Sequence, residues 1–370
     1  MNSGLPLRPE LRGKTPYGAP QLDVPVRLNT NENSWALPAG LAEAITAAVG
    51  DVAGKLNRYP DRDALGLRAD LADYLGHDLR HPHVWAANGS NEILQQLLQA
   101  FGGAGRSALG FTPSYSMHPQ ISLSTMTQWH DGQREADFGL EAGAARQAVA
   151  QQQPDVVFLT SPNNPTGTTV GLDVIEAVYD EAPGMVVVDE AYAEFARPGT
   201  PSALTLLPGR ERLVVTRTMS KAFGMAGLRV GYLAADAAVV DALQLVRLPY
   251  HLSTLTQVVA RVALGFRDQL LATVQAVCAQ RDRIVAALPQ FGLMAVPSDA
   301  NFILVGTFPD AHEAWQALLD RGILVREPAI PGYLRITAGT PAETDALLAA
   351  LHSINAGGPL PATHEGEFNT

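Results

Sequence analysis

Several features are scarce in this sequence, and each scarcity excludes a class of protein. The single cysteine, Cys278, excludes an internal disulfide and a cysteine-rich metal site. No apolar run approaches the length of a membrane span, and residues 1–18 lack the apolar stretch of a signal peptide. The net charge of -11 argues against binding to nucleic acid or to an anionic membrane. We therefore expect a soluble, cytoplasmic protein that holds no metal.

Lysine is also rare, because arginine supplies most of the positive charge. Two of the three lysines, Lys14 and Lys55, lie near the N-terminus in predicted loops. The third, Lys221, lies in "TRTMSKAFGMAGLRVGY" (216–232), between hydroxyl residues and a glycine-rich run. Its isolated position makes Lys221 a candidate for chemistry.

Short apolar runs alternate with helical patterns along most of the chain. The runs are "VWAA" (84–87), "DVVFLT" (155–160), "MVVVDE" (185–190) and "RLVVT" (212–216). They show no alternation of apolar and polar residues, which is typical of strands buried on both faces in a parallel sheet. The helical pattern at 91–101 places its apolar residues on one face. The order of strands and helices predicts an α/β domain, doubly wound.

The order of helical and strand-like patterns changes after residue 255, which suggests a second domain. A helical pattern at 256–287 precedes two strand-like stretches that surround a predicted helix at 310–321. The expected segments are an N-terminal arm (1–30), a large domain (31–255), a smaller α+β domain joined by part of the N-terminal segment (256–356), and a disordered tail (357–370).

Each predicted buried strand ends in a compact group of polar residues. The groups are "NGSNE" (88–92), "SPNNPTG" (161–167), "DEAY" (189–192) and "RTMSK" (217–221). Taken singly, each has an ordinary explanation as a helix cap, a turn, a solvated strand end or a surface lysine. The carboxyl ends of parallel strands meet at one edge of a sheet, where ligands bind. Four groups at that edge therefore predict a ligand site.

The residue types in these groups suggest a particular cofactor. A desolvated lysine can form a Schiff base with an aldehyde, which makes Lys221 a candidate for covalent attachment. A strand-end carboxylate such as Asp189 can keep a pyridine nitrogen protonated, so that the ring accepts electrons. The free amides of Ser90 and Asn91 at a helix N-terminus suit a phosphate. Together they predict a pyridoxal 5'-phosphate site.

The motifs resemble those of a known enzyme family. "SPNNPTG", "DEAY" and "SKAFGMAGLRVGY" are similar to the motifs of class-II, fold-type-I aminotransferases, which depend on pyridoxal phosphate. Six further segments resemble the histidinol-phosphate aminotransferase family: "LNTNENS" (28–34), "NRYPD" (57–61), "GSNEIL" (89–94), "PSYSM" (113–117), "LPYHLS" (248–253) and "LRITAGT" (334–340). The resemblance extends from about residue 11 to 352. It implies a large domain with a mostly parallel central sheet and a smaller α+β domain.

The resemblance also assigns cofactor-binding residues. Lys221 is expected to anchor the cofactor and to move a proton during the reaction, while Asp189 pairs with the ring nitrogen. The other implied contacts are Asn164 and Tyr192 at the ring hydroxyl, Tyr115 on the ring face, Ser90, Asn91, Thr218, Ser220 and Arg229 at the phosphate, and Tyr59 from the neighbouring subunit. A homodimer with shared active sites follows from the last of these.

The substrate residues that the resemblance implies are Tyr17, Asn33, Arg326, Arg335 and, from the partner subunit, Tyr250. In related aminotransferases the residue matching Arg335 binds an amino-acid carboxylate, so Arg335 alone does not identify the substrate. Asn33 has an alternative explanation as the first residue of an Asx turn.

The implied reaction interconverts histidinol phosphate and 2-oxoglutarate with imidazole-acetol phosphate and glutamate, in histidine biosynthesis. Three alternatives stay open: an aromatic amino-acid aminotransferase acting on phenylalanine, a decarboxylase of a phosphorylated amino acid, and a regulator that only binds the cofactor. The regulator needs a DNA-reading domain, for which the short N-terminal segment has no room. No G-x-G-x-x-G follows the first predicted strand, which excludes a Rossmann dehydrogenase.

Overall fold

The computed structural model of the protein describes residues 5–355, and the tail 357–370, predicted to be disordered, lies outside them. The strands in this range are β1 (Val26–Arg27), β2 (Val84–Ala87), β3 (Ser107–Thr112), β4 (Gln128–Gln133), β5 (Val156–Thr160), β6 (Met185–Asp189), β7 (Leu213–Thr218), β8 (Gly231–Ala235), β9 (Met294–Ala295), β10 (Phe302–Gly306), β11 (Ile323–Leu324) and β12 (Leu334–Thr337). The helices are α1 (Leu41–Ala53), α2 (Leu65–Leu75), α3 (Ser90–Phe101), α4 (Met117–Ser124), α5 (Ala142–Gln152), α6 (Leu172–Glu181), α7 (Ala237–Val246), α8 (Thr254–Gly265), α9 (Arg267–Ala287), α10 (Ala311–Leu319) and α11 (Pro341–Asn355).

Seven strands form the central sheet, in the order β2-β8-β7-β6-β5-β3-β4. The five strands from β7 to β4 are parallel, and β8 is antiparallel to both of its neighbours. The prediction of an α/β fold with a mostly parallel central sheet is therefore confirmed. Because β5, β6 and β7 run in the same direction, their carboxyl ends share one edge.

The continuous apolar strands are explained by cores on both faces of this sheet. In β5, Val157 and Leu159 pack into the larger core, while Val156 and Phe158 pack into the second. All five residues of β5 are buried, as are all five of β6. Burial of each such side chain contributes about 1.5–3 kcal/mol relative to exposure.

One predicted helix is divided in the structure. The pattern at 256–287 predicted a continuous helix, but α8 ends at Gly265 and α9 begins at Arg267. The backbone of Phe266 between them is not helical, with φ -103° and ψ 14°. Gly265 does not favour continuation of the helix, because glycine is a poor helix former. The Phe266 side chain that follows packs against the larger core. The helices predicted at 91–101, near 171–181 and at 310–321 are present as α3, α6 and α10.

The C-terminal part of the chain forms smaller sheets. Strands β9, β10 and β12 make an antiparallel sheet in the order β12-β10-β9. The N-terminal strand β1 pairs with β11, with Val26 opposite Ile323 and Arg27 opposite Leu324. This pairing brings the segment after β1 to the C-terminal edge of the central sheet. The division into a large and a small domain stays a prediction.

Candidate active site

A cavity of about 390 Å³ lies at the carboxyl edge of the central sheet. All but three of the residues predicted for the site line it: Tyr17, Ser90, Asn91, Tyr115, Asn164, Asp189, Tyr192, Thr218, Ser220, Lys221, Arg229, Arg326 and Arg335. Residues that are more than 300 positions apart in the chain thus meet in one cavity. The strand-end groups converge as the parallel topology requires.

Asn33 does not line the cavity. Its Oδ1 accepts a 3.1 Å hydrogen bond from the backbone N–H of Trp35, and its Nδ2 donates to Thr273 Oγ1 at 2.9 Å. These contacts are those of the Asx turn that was the alternative explanation. Because both polar atoms of its amide are bonded within the protein, neither is free for a ligand, and a role for Asn33 at the substrate stays a prediction.

Tyr59 and Tyr250 also lie outside the cavity of their own chain. Their rings stack on each other with centroids 4.3 Å apart and planes 14° apart. Tyr59 is 79% exposed and Tyr250 40% exposed. The two tyrosines thus form an exposed aromatic pair.

Lys221 follows β7 and reaches the floor of the cavity. Its Nζ donates a 2.9 Å hydrogen bond to the carbonyl oxygen of Thr30. Burial lowers the pKa of Lys221 from 10.5 to about 8; the positive charges of Arg335 and Arg229 act in the same direction, and Glu32 opposes them. A neutral, nucleophilic amine is therefore available near neutral pH.

Asp189 ends β6 and is 2% exposed. Thr216 Oγ1 donates to its Oδ1 at 3.1 Å, and His118 Nε2 lies 3.4 Å from its Oδ2. The His118 ring stacks on Phe158, with centroids 4.7 Å apart. No arginine or lysine within residues 5–355 forms an ion pair with Asp189. A buried carboxylate of this kind is suited to a cationic ring nitrogen from a ligand.

The neighbouring Glu190 has a different environment. Its Oε2 accepts hydrogen bonds from Arg217 Nη2 and from Ser202 Oγ, both at 2.7 Å. Adjacent residues of a strand point to opposite faces of the sheet, which separates the two carboxylates of "DEAY". Glu190 is therefore a structural ion-pair partner, and Asp189 is the carboxylate of the two that lines the cavity.

Arg229 and the N-terminus of α3, which begins at Ser90, form a cup at one end of the cavity. Arg229, with a left-handed backbone at φ 61°, donates to Ser220 Oγ at 3.4 Å. A Cβ added to Gly89 would lie 2.4 Å from Arg229 Nη2, and one added to Gly231 would lie 2.1 Å from the backbone nitrogen of Ser90. Glycine is thus required at both positions for the guanidinium and the helix N-terminus to approach each other. Their combined charge suits a phosphate.

Two tyrosines complete the walls near the cup. Tyr115 donates from its hydroxyl to Asn91 Oδ1 at 3.1 Å, and the Tyr192 hydroxyl accepts from Asn31 Nδ2 at 3.0 Å. Burial raises the pKa of Tyr192 to about 12 and also raises that of Tyr115. Both phenols are therefore neutral near pH 7. The Tyr192 hydroxyl keeps its proton free to donate to a ligand, whereas Tyr115 donates its own to Asn91.

Two arginines form the opposite side of the cavity. Arg335 is buried, and burial lowers its pKa. Its guanidinium donates to Asn164 Oδ1 and to the Asn29 carbonyl oxygen, both at 2.6 Å. Arg326 lies with its guanidinium carbon 6.0 Å from the centre of the Tyr17 ring. The cavity therefore offers cationic groups beyond those of the phosphate cup.

The sequence analysis overlooked part of the lining. Asn29, Thr30, Asn31 and Glu32 all line the cavity, although only Asn33 of that segment was singled out. The motif "LNTNENS" was the available signal, but nothing local distinguishes its three asparagines. His118 beneath Asp189 was also missed, and its local sequence contains no signal for that position.

The residues present fit pyridoxal phosphate. Lys221 can attach an aldehyde, Asp189 has no arginine or lysine partner among the described residues, and the cup at Ser90 and Arg229 has the charge for a phosphate. These groups lie in one cavity large enough for a small ring and its substrate. Fold and site together define the class of pyridoxal-phosphate-dependent transferases.

Comparison with known proteins identifies the family. The model of the family "Aminotransferase class I and II" matches residues 24–351. A histidinol-phosphate aminotransferase of Frankia casuarinae is 62% identical over 356 residues, which cover 94% of this chain and 90% of the relative. Another from Thermobifida fusca is 59% identical and covers 94% and 95%. The chain therefore belongs to the class I and II aminotransferases and, within them, to the histidinol-phosphate aminotransferases.

A solved structure supports the fold and the cofactor. The histidinol-phosphate aminotransferase of Sinorhizobium meliloti in complex with pyridoxal 5'-phosphate is 25% identical, with a TM-score of 0.82 and coverage of 90% of this chain and 92% of that one. The predictions of the fold type and of pyridoxal phosphate as cofactor are confirmed. Among the described residues, no helix has the length and apolarity needed to cross a membrane.

Proposed function

We propose that the protein transfers an amino group between L-histidinol phosphate and 2-oxoglutarate, which yields imidazole-acetol phosphate and L-glutamate, in histidine biosynthesis. The names of the relatives support this substrate. The structural observation that carries the proposal is the presence of Arg326 and Arg335 in the cavity in addition to Arg229. A phosphate ester carries about -1.5 to -2 charge at pH 7, more than one carboxylate. Two further guanidinium groups match that charge.

Lys221 is the residue that handles covalent chemistry and proton transfer. Pyridoxal phosphate, when bound, supplies an electron sink for the carbon that carries the amine. Lys221 would hold the cofactor covalently, and its free amine would be the base that accepts a proton from that carbon. Its lowered pKa keeps a useful fraction of the amine neutral near pH 8. The Thr30 carbonyl oxygen, 2.9 Å from Nζ, orients the amine.

The remaining residues orient the ring and bind its phosphate. Asp189 pairs with the ring nitrogen and is itself held by Thr216 and His118. The proposed cofactor contacts are Tyr192 and Asn164 at the ring hydroxyl, Tyr115 on the ring face, and Ser90, Asn91, Thr218, Ser220 and Arg229 at the phosphate. Tyr17, Arg326 and Arg335 bind the substrate phosphate on the opposite side of the cavity.

A homodimer with shared active sites is part of this proposal. Tyr59 and Tyr250 stack on the outside of their own subunit, and Leu245 and Leu248 on the same surface segment are 86% and 76% exposed. Exposed apolar residues in such number mark an interaction surface. We assign Tyr59 to the partner's cofactor phosphate and Tyr250 to the partner's substrate.

Subunit mixing tests the shared site. We expect dimers of Lys221→Ala alone, or of Tyr59→Ala alone, to be weakly active. In a mixed dimer, one of the two sites combines Lys221 from one subunit with Tyr59 from the other, so that site has both native residues. Random mixing should restore native chemistry to about a quarter of the sites. Sedimentation of the wild type gives the oligomeric state, and a monomer or an absence of complementation contradicts the shared site.

Steady-state assays with two amino donors test the substrate. With 2-oxoglutarate as acceptor, we expect kcat/KM for histidinol phosphate to exceed that for phenylalanine by at least about a hundredfold, because a matched phosphate pocket discriminates strongly. Preference for phenylalanine would instead favour the aromatic aminotransferase, since Arg335 also suits a carboxylate. Release of carbon dioxide would identify a decarboxylase.

The proposed location is the cytoplasm, where glutamate and 2-oxoglutarate are available to a biosynthetic enzyme. The net charge of -11 supports this, because it disfavours adsorption to anionic membranes. Fractionation of cells that express the protein from its native sequence, followed by immunoblotting, tests the location. Recovery in the membrane or secreted fraction would contradict it.

A further inference from the structure

Glu32 is a negatively charged residue in a mainly cationic cavity. Of the described residues that line the cavity, only Glu32 and Asp189 carry carboxylates. Asp189 is buried and assigned to the cofactor ring, whereas Glu32 is exposed to solvent. Its Oε2 accepts a 2.8 Å hydrogen bond from Thr30 Oγ1. No ion pair within residues 5–355 includes Glu32, so its charge is available to a ligand.

The backbone that carries Glu32 is held against the reactive groups. The Asn29 carbonyl oxygen accepts a hydrogen bond from Arg335 at 2.6 Å, and the Thr30 carbonyl oxygen accepts one from Lys221 at 2.9 Å. The segment is thus tied both to the substrate-anion arginine and to the catalytic amine. These bonds fix the backbone beside Glu32, and the Thr30 hydroxyl orients the Glu32 carboxylate.

The charges of the cavity can be matched to those of the proposed ligands. The cationic residues that line it are Lys221, Arg229, Arg326 and Arg335. Lys221 and Arg229 serve the cofactor, and the other two serve the substrate phosphate. The imidazole ring of histidinol phosphate is then the remaining polar group; it donates an N–H and is cationic below a pH of about 6.5. Among the lining residues, only Glu32 is left to accept that hydrogen bond as an anion.

We propose that Glu32 is a specificity-determining residue that accepts a hydrogen bond from the substrate imidazole and pairs with its protonated form. This inference rests on the proposed function and assigns the end of the cavity that recognises the ring. A phenyl ring has no N–H, so its binding would leave a carboxylate desolvated and unpaired. Sites built to bind an N–H reject analogues that lack it for this reason.

A comparison of two ligands on the holoenzyme tests the assignment. Histidinol phosphate carries the imidazole, whereas O-phosphoethanolamine has the same amine and phosphate without the imidazolylmethyl group. The change in the cofactor's visible absorbance on titration gives Kd for each ligand. For Glu32→Gln we expect Kd of histidinol phosphate to rise on the order of tenfold, and that of phosphoethanolamine to stay within about twofold.

The pH dependence adds a readout that a structural role would not change. The ratio of Kd between Glu32→Gln and the wild type should be larger at pH 6 than at pH 8, because the imidazolium form prevails at pH 6. Glu43→Gln is the matched control, since Glu43 is an exposed carboxylate on α1 outside the cavity. It should leave both Kd values unchanged.

Two kinds of failure are distinguishable. Equal weakening of both ligands, or no change for histidinol phosphate, overturns the role of Glu32 while wild-type binding of histidinol phosphate stays intact. A wild type that does not bind histidinol phosphate overturns the proposed function and this inference together.

Discussion

Arg335 donates a hydrogen bond of 2.6 Å to Asn164 Oδ1, and this bond joins the two halves of the active site. Arg335 lies on β12, whereas Asn164 follows β5 of the central sheet and precedes a cis peptide bond to Pro165. In the proposed roles, Arg335 binds the substrate anion and Asn164 bonds the cofactor hydroxyl. The two binding events therefore act on one hydrogen-bonded pair.

Arg335→Lys tests this link. Lysine keeps the charge but lacks the planar fork that reaches Asn164 and Asn29 together. We expect KM for histidinol phosphate to rise about tenfold to a hundredfold, as for loss of a charge-assisted hydrogen bond. Arg146→Lys, at an exposed ion pair with Glu181, is the control and should leave KM unchanged. An unaltered KM in Arg335→Lys would contradict the assignment.

Lys221→Ala should abolish both covalent attachment of the cofactor and proton transfer. We expect activity to fall by more than about a thousandfold, because one residue performs both tasks. The visible band of the lysine-bound cofactor should disappear from the absorbance spectrum. Lys55→Ala, which removes an exposed lysine, should retain the band and the activity. Persistence of the band in Lys221→Ala would move the attachment site to another residue.

The lowered pKa of Lys221 predicts how cofactor incorporation depends on pH. Burial disfavours the protonated form, so the reactive neutral amine accumulates as the pH rises through about 8 instead of 10.5. The rate at which cofactor-free protein takes up pyridoxal phosphate, measured by stopped-flow absorbance, should rise with pH and level off above that value. A midpoint near 10.5 would contradict the burial argument.

Variants that remove a charge near Lys221 should shift the pH midpoint of cofactor uptake in opposite directions. The negative charge of Glu32 raises the pKa of Lys221, and the positive charge of Arg335 lowers it. Glu32→Gln should therefore shift the midpoint to lower pH, and Arg335→Gln should shift it to higher pH. Shifts in the same direction would show that a change of fold, and not charge, causes them.

Gly231→Ala should damage the phosphate cup. The added Cβ would lie 2.1 Å from the backbone nitrogen of Ser90, so the start of α3 must move away from Arg229. We expect a loss of about 1–3 kcal/mol in the free energy of unfolding, as for overpacking, and weaker binding of pyridoxal phosphate.

Gly143→Ala on α5 is the matched control for the cup. A Cβ there meets no atom within 4 Å. Because Gly143 is the second residue of α5, the substitution should stabilise the helix by no more than about 1 kcal/mol. Thermal unfolding and equilibrium dialysis with the cofactor compare the two variants. Equal cofactor affinity in both would show that the close approach at Gly231 is not needed for phosphate binding.

Much of the cofactor side of the site could be predicted from sequence because its signals are local. The buried strands β5 and β6 have apolar residues at every position, which indicates cores on both faces. Asp189 and Lys221 follow such strands directly, so the parallel topology alone places them at one edge. The motifs around them then identified the family.

The break at Phe266 shows where local patterns fail. The apolar pattern continues through this position, but the backbone of Phe266, which follows Gly265 and packs against the larger core, is not helical and divides α8 from α9. Helical periodicity does not report such an interruption, because the same residues would also suit a straight helix.

By itself, the sequence determined the α/β class, the cofactor and the residues that follow the buried strands. Only the tertiary structure decided that Asn31 and Glu32, and not Asn33, line the cavity. Asn31 is bonded to Tyr192, and Thr30 is bonded to Lys221, 191 positions along the chain. Such contacts depend on how the N-terminal segment, joined through β1 to β11, is brought over the central sheet. The three asparagines of "LNTNENS" have similar local sequences, so only their partners elsewhere in the fold decide which side chains face the cavity.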